Sequence, residues 1–175
     1  KAADGYTYIL AEALAPKVLS GLFKKANPDS EENGADYEVL EKYKGSDLEN
    51  QEYDALYACS KKEAENQKKK SHFVVSDNYV TMSDGTGIVH IAPAFGEDDS
   101  RLGRKYDLPY LQFVDGAGNM TEETDFAGIF IKKADPLILD ELKSRNQLFS
   151  APKLEHEYPF CWRCDTPLIY YARES

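Results

Sequence analysis

Three side chains with acid–base or charge-binding chemistry lie close together in GTGIVHIAPAFGEDD, the segment from Gly85 to Asp99. His90 lies in an apolar run, and two adjacent carboxylates, Asp98 and Asp99, follow a loop that contains proline and glycine. An imidazole can exchange a proton near neutral pH, and a carboxylate can bind an ammonium group or hold water. Because the chain has no G-x-S-x-G motif and no cysteine beside the histidine, the segment favours direct attack by water.

Each of these residues also has an ordinary structural explanation. The two aspartates can stabilise the positive end of a helix, and a lone histidine on an apolar strand is commonly buried and bonded to a carbonyl group. Pro93 and Gly96 can simply shape a turn. Together the residues indicate more, because a strand end, a tight loop and a helix start would bring His90 and the acids to one rim of a sheet. Functional loops are commonly held at such a rim.

The elements that position these residues are predicted from the periodicity of apolar side chains. Strands are predicted at 6–10, 37–45, 73–75, 79–82, 87–91 and in the run that begins at Leu108. Helices are predicted at 11–23, 98–106 and 134–146, the last with Asp135 as N-cap and Pro136 in its first turn. The mixture predicts an α+β fold, with a mixed, strongly bent β-sheet or barrel and helices on its surface.

Composition limits the class of partner. The 175 residues carry a formal net charge of −10, which argues against broad nucleic-acid binding by phosphate neutralisation but allows a pocket for one nucleotide end. No apolar run reaches the roughly 18–20 residues of a membrane span, so we expect a soluble, cytoplasmic protein with no membrane partner. The chain begins without Met and ends directly after an apolar run, which predicts a piece of a longer protein.

Two segments of the sequence resemble a known family. GTGIVHIAPAFGEDD is similar to the signature of the editing domain inserted into the class I isoleucyl-tRNA synthetases, and HEYPFCWRCDTPLIYYA resembles the segment that leaves that domain for the catalytic core. The resemblance is strong from His72 to Tyr171 and moderate before it. His90 and the residues from Tyr158 to Pro167 distinguish it from the valyl and leucyl enzymes, which share only the G-T-G…P-A…D skeleton.

The resemblance implies a proofreading hydrolase. A hydrophobic pocket gains only about 1–3 kcal/mol from the one methylene that separates isoleucine from valine, isoleucyl-tRNA synthetase being the standard example of this limit. The implied substrate is the acceptor end of the isoleucine tRNA carrying valine, and the other partner is the rest of the synthetase polypeptide. Editing would need no cofactor. ATP and Mg²⁺ would serve only the parent enzyme, because the chain has no H-x-G-H-like or K-M-S-K-S-like element.

The resemblance also implies roles for individual residues. Asp99 would bind the α-ammonium group of the misattached amino acid, and His90 would line the site and help to exclude the isoleucyl group. Asp98 would lie beside the substrate and cap the helix. The missing side chains of glycine would let the backbone pass close to the substrate in the turn formed by Gly85, Thr86 and Gly87.

The same resemblance predicts two segments and one missing element. Residues 1–155 would form the editing domain, and residues 156–175 would form the exit segment. The family's threonine-rich segment, which holds the adenosine end and the hydrolytic water, lies upstream of Lys1. We therefore expect the isolated chain to be a weak or inactive hydrolase.

The pair Cys161-x-x-Cys164 has the ligand spacing of half a zinc knuckle. Zinc requires four ligands, and nothing in the spacing favours His156 or Cys59 as a further one. In many members of the family a second C-x-x-C upstream of the editing insertion completes the site. We therefore interpret the pair as a structural half-site and expect no stoichiometric zinc in this chain. Two reduced cysteines in a tight turn are the alternative.

Two other functions are compatible with the sequence. A non-catalytic RNA- or protein-binding module would use the cysteine pair as a knuckle and the polar run Lys61–Lys70, otherwise expected to be a solvated loop or frayed helix, for phosphate contacts. A metallohydrolase would use His90, Asp98 and Asp99, but this ligand set is incomplete for a catalytic metal.

Overall fold

The computed structural model describes residues 1–31, 34–83, 85–152 and 159–169. In these ranges the helices are α1 (Ala15–Val18), α2 (Leu22–Ala26), α3 (Ala58–Asn66), α4 (Glu97–Lys105) and α5 (Ile131–Ser144), with 3₁₀ turns at Glu12–Leu14 and Gly45–Leu48. The chain divides into unit 1, Lys1–Asp54 with His72–Ile91, and unit 2, Ala55–Ser71 with Ala92–Ser175. None of the helices described is both long enough and apolar enough to cross a bilayer.

The predicted α+β fold with a bent sheet or barrel is wrong. The described residues contain no strand and meet only in isolated bridges, of which Glu52 with Phe73 is an example. Backbone bonds flank this bridge, from Tyr53 N–H to His72 C=O at 2.9 Å and from Asn50 N–H to Val74 C=O at 2.8 Å. Pairing stops on both sides because Asn50 (φ 69°) and His72 (φ 57°) are left-handed, a conformation that does not continue a strand.

Unit 1 is organised around a broken helix rather than the continuous helix predicted at 11–23. Gly21, with φ 76°, separates α1 from α2. Asp36 closes the start of α2, because its carboxylate accepts the N–H groups of Phe23 at 2.8 Å and Gly21 at 2.9 Å. These bonds, with that of Phe23 the larger cause, hold the pKa of Asp36 below its ordinary value. The buried residues of this core are Ala2, Ala15, Leu19 and Leu22.

Unit 2 contains the two helices that the sequence predicts best. The prediction of a helix at 98–106 is confirmed, with α4 beginning one residue earlier at Glu97. Helix α5 begins earlier than predicted, so that Phe130 rather than Asp135 is the N-cap and Pro136 lies inside the helix. The added turn buries Ala134, which is 0% exposed, and the Ile131 N–H donates to the Gly118 carbonyl at 3.0 Å.

Helices α3, α4 and α5 end in the same way. The residue after each C-cap is left-handed, with φ 55° at Lys68, 52° at Asp107 and 54° at Asn146. The next N–H donates to the third carbonyl from the helix end, in the bonds Lys69 to Ala64 (3.0 Å), Leu108 to Gly103 (2.8 Å) and Gln147 to Leu142 (2.8 Å). This is the Schellman arrangement, which usually places glycine at the left-handed position.

Candidate functional site

Asp99 occupies the third position of α4, after a turn formed by residues 92–96. In the turn, the Phe95 N–H donates to the Ala92 carbonyl at 2.9 Å. The Asp99 Oδ2 atom accepts the Ala92 N–H at 3.0 Å. The half-buried carboxylate therefore joins the start of α4 to the beginning of the turn that precedes it.

Two glycines allow this turn to pack on α4. A Cβ atom on Gly96 would lie 3.0 Å from the Oδ2 atom of Asp99, and one on Gly103 would lie 2.8 Å from the Cβ atom of Pro93. Pro93 in the turn is buried, and Leu102 in α4 is 0% exposed. The carboxylate of Asp99 is therefore supported by a rigid element rather than by a loose loop.

The two adjacent aspartates have different environments. Asp98 is exposed, and its Oδ1 atom lies 3.6 Å from the guanidinium of Arg101, which is a weak surface ion pair. The N-cap of α4 is Gly96 with no side-chain cap, so the capping bond predicted for Asp98 is not observed, and Asp99 bonds instead to the turn before the helix. Both acids, with Glu97, lie in the first turn, where they complement the helix dipole. A role for Asp98 beside the substrate stays a prediction.

His90 lies in unit 1, and its side chain is exposed. The alternative of a buried histidine bonded to a carbonyl group is therefore wrong. Its neighbours Ile88 and Val89 are also open to solvent, at 50% and 48% exposed. Asp98 and Asp99 belong to unit 2, so a site shared with His90 stays a prediction.

The glycines of the G-T-G turn have different surroundings. Both are left-handed, with φ 70° at Gly85 and 76° at Gly87. A Cβ atom on Gly87 would lie 2.4 Å from the Cβ of Ala11, whereas one on Gly85 would meet nothing within 4 Å. The Ala11 N–H donates to the Thr86 carbonyl at 2.8 Å. Gly87 is thus required for packing, and only Gly85 faces the open space that a substrate could use.

Cys161 and Cys164 lie on one turn. The Asp165 N–H donates to the Cys161 carbonyl at 2.8 Å, and the Cys161 N–H donates to the Thr166 carbonyl at 2.9 Å. The Cys164 Sγ atom lies 3.1 Å from the Thr166 hydroxyl. Hydrogen bonds from the Thr166 side chain and backbone, and from the Cys161 thiol, lower the pKa of Cys164. Two thiols within hydrogen-bonding reach of each other suit a common metal ion.

His156 and Cys59 are the other two residues weighed as zinc ligands. His156 lies outside the described residues. Cys59 lies in α3, where burial raises the pKa of its thiol. In the part of the chain that the structure describes, no three His, Cys, Asp or Glu side chains cluster as a metal site would require. His90, Asp98 and Asp99, the ligands weighed for a metallohydrolase, are therefore not found as such a cluster.

A polar network in unit 2 is missing from the sequence-based predictions. The Gln67 side chain bonds to both backbone groups of Tyr110, donating to its carbonyl at 2.8 Å and accepting its N–H at 3.0 Å. The Tyr110 hydroxyl contacts the Ser100 hydroxyl, which also accepts a bond of 3.0 Å from Arg104. In the run Lys61–Lys70 the one apolar residue is Ala64, and it is only 1% exposed. It is the one feature of the run's sequence that could have indicated a packed element.

Comparison with known proteins finds no matching family model but many similar sequences. The chain is 50% identical over 141 residues, 80% of its length, to the isoleucine–tRNA ligase of Clostridium acetobutylicum. Over 98% of its length it is 44% identical to the isoleucine–tRNA ligase of Clostridium novyi and 40% identical to that of Methanothermobacter marburgensis. The chain spans only 13% of the first of these relatives and 15% of the other two.

Proposed function

Because this chain is homologous to one segment of the isoleucine–tRNA ligases, we propose that it is the segment that edits their errors. The proposed reaction is hydrolysis of valyl-tRNA(Ile). A water oxygen attacks the ester carbonyl, the bond from that carbon to the ribose oxygen breaks, and the ribose oxygen leaves with a proton. The products are free valine and intact tRNA, and no cofactor is consumed.

The observation that carries this proposal is the placement of Asp99. Its carboxylate is half-buried, is oriented by the Ala92 N–H at 3.0 Å and lies among three acids in the first turn of α4. An α-ammonium group carries the opposite charge and forms short, strong hydrogen bonds with such an oxygen. Asp99 would therefore hold the aminoacyl group in one orientation, which lowers the entropic cost of bringing the water to the carbonyl.

His90 and Gly85 would act on the other groups of the substrate. The imidazole of His90 is exposed, so that it can form a hydrogen bond to water or to the leaving oxygen. In the proposed site it would also restrict the room for the amino-acid side chain, which favours valine over isoleucine. The family resemblance implies that the backbone at Gly85, where an added Cβ atom would meet nothing within 4 Å, passes close to the substrate.

The proposal is tested with two esters on one tRNA. The chain would replace the homologous segment of the Clostridium novyi ligase, and hydrolysis of valyl-tRNA(Ile) and isoleucyl-tRNA(Ile) would be followed by release of radiolabelled amino acid. We expect the valyl ester to be cleaved at least about 10-fold faster, the lower limit for discrimination by one methylene. Equal rates, or rates no higher than spontaneous hydrolysis, would contradict the proposal.

We also propose that Cys161 and Cys164 supply two thiolate ligands to a structural zinc ion. Zinc would restrain the turn, and two ligands from elsewhere in the parent polypeptide would complete its shell. The fit rests on two thiols that share one turn and a hydrogen bond, the lowered pKa of Cys164 making its thiolate easier to form.

The order of cysteine alkylation tests the environments of the thiols. In limiting iodoacetamide near neutral pH, we expect Cys164 to react first and Cys59 last, because the thiolate is the reactive form. Thr166→Val should slow the reaction of Cys164, and mass spectrometry of tryptic peptides would measure each rate. In the chimeric ligase, added zinc should protect the pair but leave Cys59 reactive. Faster alkylation of Cys59 than of Cys164 would contradict this assignment.

A further inference from the structure

We propose that the turn carrying Cys161 and Cys164 docks on another part of the parent ligase through Trp162. Trp162 lies between the two cysteines and is 87% exposed, the highest value among the large apolar side chains of the described residues. The inference rests on the proposed function for the identity of the partner. It goes beyond the proposed zinc ligands because it gives a protein-binding role to a residue that is not itself a ligand.

Trp162 lies at the tip of a hairpin formed by residues 159–169. Phe160 and Pro167 form an antiparallel bridge, and the Leu168 N–H donates to the Pro159 carbonyl at 3.0 Å. We call this segment the tryptophan hairpin. Its paired arms hold the exposed side chain away from their own backbone.

The tryptophan hairpin is supported at both ends. At the tip, the Cys161 backbone bonds to Asp165 and Thr166, and Asp165 is left-handed with φ 55°. At the base, a Cβ atom on Gly118 would lie 3.3 Å from the Cδ1 atom of Ile169, so the hairpin packs on another loop of unit 2. A side chain on such a support loses little further freedom when a partner covers it.

The side chains of the tryptophan hairpin are typical of a protein interface. The Arg163 guanidinium carbon lies 4.8 Å from the centroid of the Trp162 ring. Tryptophan and arginine are enriched among the residues that dominate binding between proteins. Phe160 and Leu168 are also open to solvent, at 52% and 41% exposed. A covered tryptophan buries about 150–250 Å², which makes Trp162 the main anchor of this surface.

The charge of the tryptophan hairpin favours a protein partner over RNA. Residues 159–169 contain one basic side chain, Arg163, and one acidic side chain, Asp165, so their formal charges cancel. Binding to an RNA backbone depends on an excess of basic groups that neutralise phosphates. An apolar segment without net charge is instead suited to an apolar pocket of another polypeptide.

The proposed zinc site identifies which polypeptide this would be. The chain spans 15% of the Clostridium novyi ligase, so most of that relative lies outside the match. Two further zinc ligands would come from the parent polypeptide, and all four ligands of a structural zinc bind the same ion. The segment that supplies them must therefore approach Cys161 and Cys164. Trp162 lies between these cysteines, so the same approach would cover its ring.

Hydroxyl-radical footprinting tests whether Trp162 is covered. The oxidation rate would be compared between the free chain and the chimeric ligase, in which the chain replaces the homologous segment of the Clostridium novyi enzyme. Trp162 is the only tryptophan of the chain, so mass spectrometry of its tryptic peptide identifies the product. Because docking excludes water, we expect oxidation in the chimera to be at least about 5-fold slower. Synthesis of isoleucyl-tRNA would verify that the chimera is folded.

Trp162→Ala provides a second measurement. The side chain is 87% exposed in the free chain, so its removal should leave the melting temperature of the free chain nearly unchanged. In the chimera the same variant should lower the melting temperature, because it removes the docked anchor. Leu40→Ala is the control, since Leu40 is 59% exposed but lies in unit 1, and we expect it to shift both proteins equally.

The proposal is overturned if Trp162 is oxidised equally fast in the free chain and the folded chimera, or if Trp162→Ala lowers both melting temperatures equally. It is also overturned if an acceptor-stem RNA hairpin protects Trp162 of the free chain as fully as the chimera does, since RNA would then be the partner. Protection in a chimera that does not hydrolyse valyl-tRNA(Ile) would leave the docking surface supported and the editing reaction contradicted. Failure of the docking surface is therefore measured apart from failure of the hydrolytic site.

Discussion

Asp99→Ala is expected to slow hydrolysis of valyl-tRNA(Ile) by at least about 100-fold in the chimeric ligase. Removing one partner of a hydrogen-bonded charge pair costs about 2–5 kcal/mol, and each 1.4 kcal/mol or so is a factor of ten in rate. Deletion of the carboxylate removes the proposed partner of the α-ammonium group. It also removes the acceptor for the Ala92 N–H. Initial rates with radiolabelled valyl-tRNA would measure the combined loss.

Two matched variants separate charge from scaffold. Asp99→Asn keeps an oxygen that can accept the Ala92 N–H but removes the negative charge, so stability should be retained while hydrolysis is lost. Asp98→Ala removes an exposed carboxylate whose pairing with Arg101 is weak, and we expect the rate to change less than about three-fold. Normal hydrolysis by Asp99→Asn would show that the negative charge has no part in the reaction. If Asp98→Ala slowed hydrolysis as much as Asp99→Ala, the assignment of the ammonium group to Asp99 alone would be wrong.

Gly87→Ala is expected to lower the free energy of unfolding by about 2–5 kcal/mol. A left-handed alanine costs about 1–2 kcal/mol, and an added methyl in a packed contact costs about 1–3 kcal/mol. The new Cβ atom would lie 2.4 Å from that of Ala11, whose N–H bonds to the same turn. Urea denaturation followed by circular dichroism would measure the change.

Gly85→Ala is the matched control, because φ at Gly85 is also positive, at 70°. Its Cβ atom would meet nothing within 4 Å, so only the conformational cost of about 1–2 kcal/mol is expected. If Gly85 faces the substrate, hydrolysis should nevertheless fall more than this loss of stability explains. If the two variants lost the same free energy of unfolding, the clash with Ala11 would add nothing to the cost at Gly87.

The helices of unit 2 were predicted with most success where the determinants are local. The acids at the start of α4 and the basic residues at its end are neighbours along the chain, and the interval between them defines the helix. The start of α5 was placed too late because Asp135 and Pro136 resemble a helix beginning. The helix extends past that local signal, with Ala134 buried in the added turn and the Ile131 N–H bonded to the distant Gly118 carbonyl.

The candidate site likewise depends on contacts that the local sequence does not specify. The types and order of His90, Asp98 and Asp99 indicate a candidate site, but they do not show which of the two acids bonds to the backbone. The difference comes from Ala92, because the folded turn directs its N–H to Asp99 and leaves Asp98 in solvent. The difference in surroundings between Gly85 and Gly87 likewise depends on Ala11, which contacts only the second position and is far from both in the sequence.

The sequence by itself determined which chemical groups this protein carries, their order, the helix α4 and the two-cysteine turn. These properties depend on residues within a few positions of one another, where helical periodicity, capping and turn chemistry operate. Only the tertiary structure decided that the apolar runs of the described chain form isolated bridges instead of a sheet, that Asp36 closes α2, and that Gln67 and Lys69 join two helix ends. Such contacts join residues that are distant along the chain, and backbone conformation and packing select them after local preferences have been met.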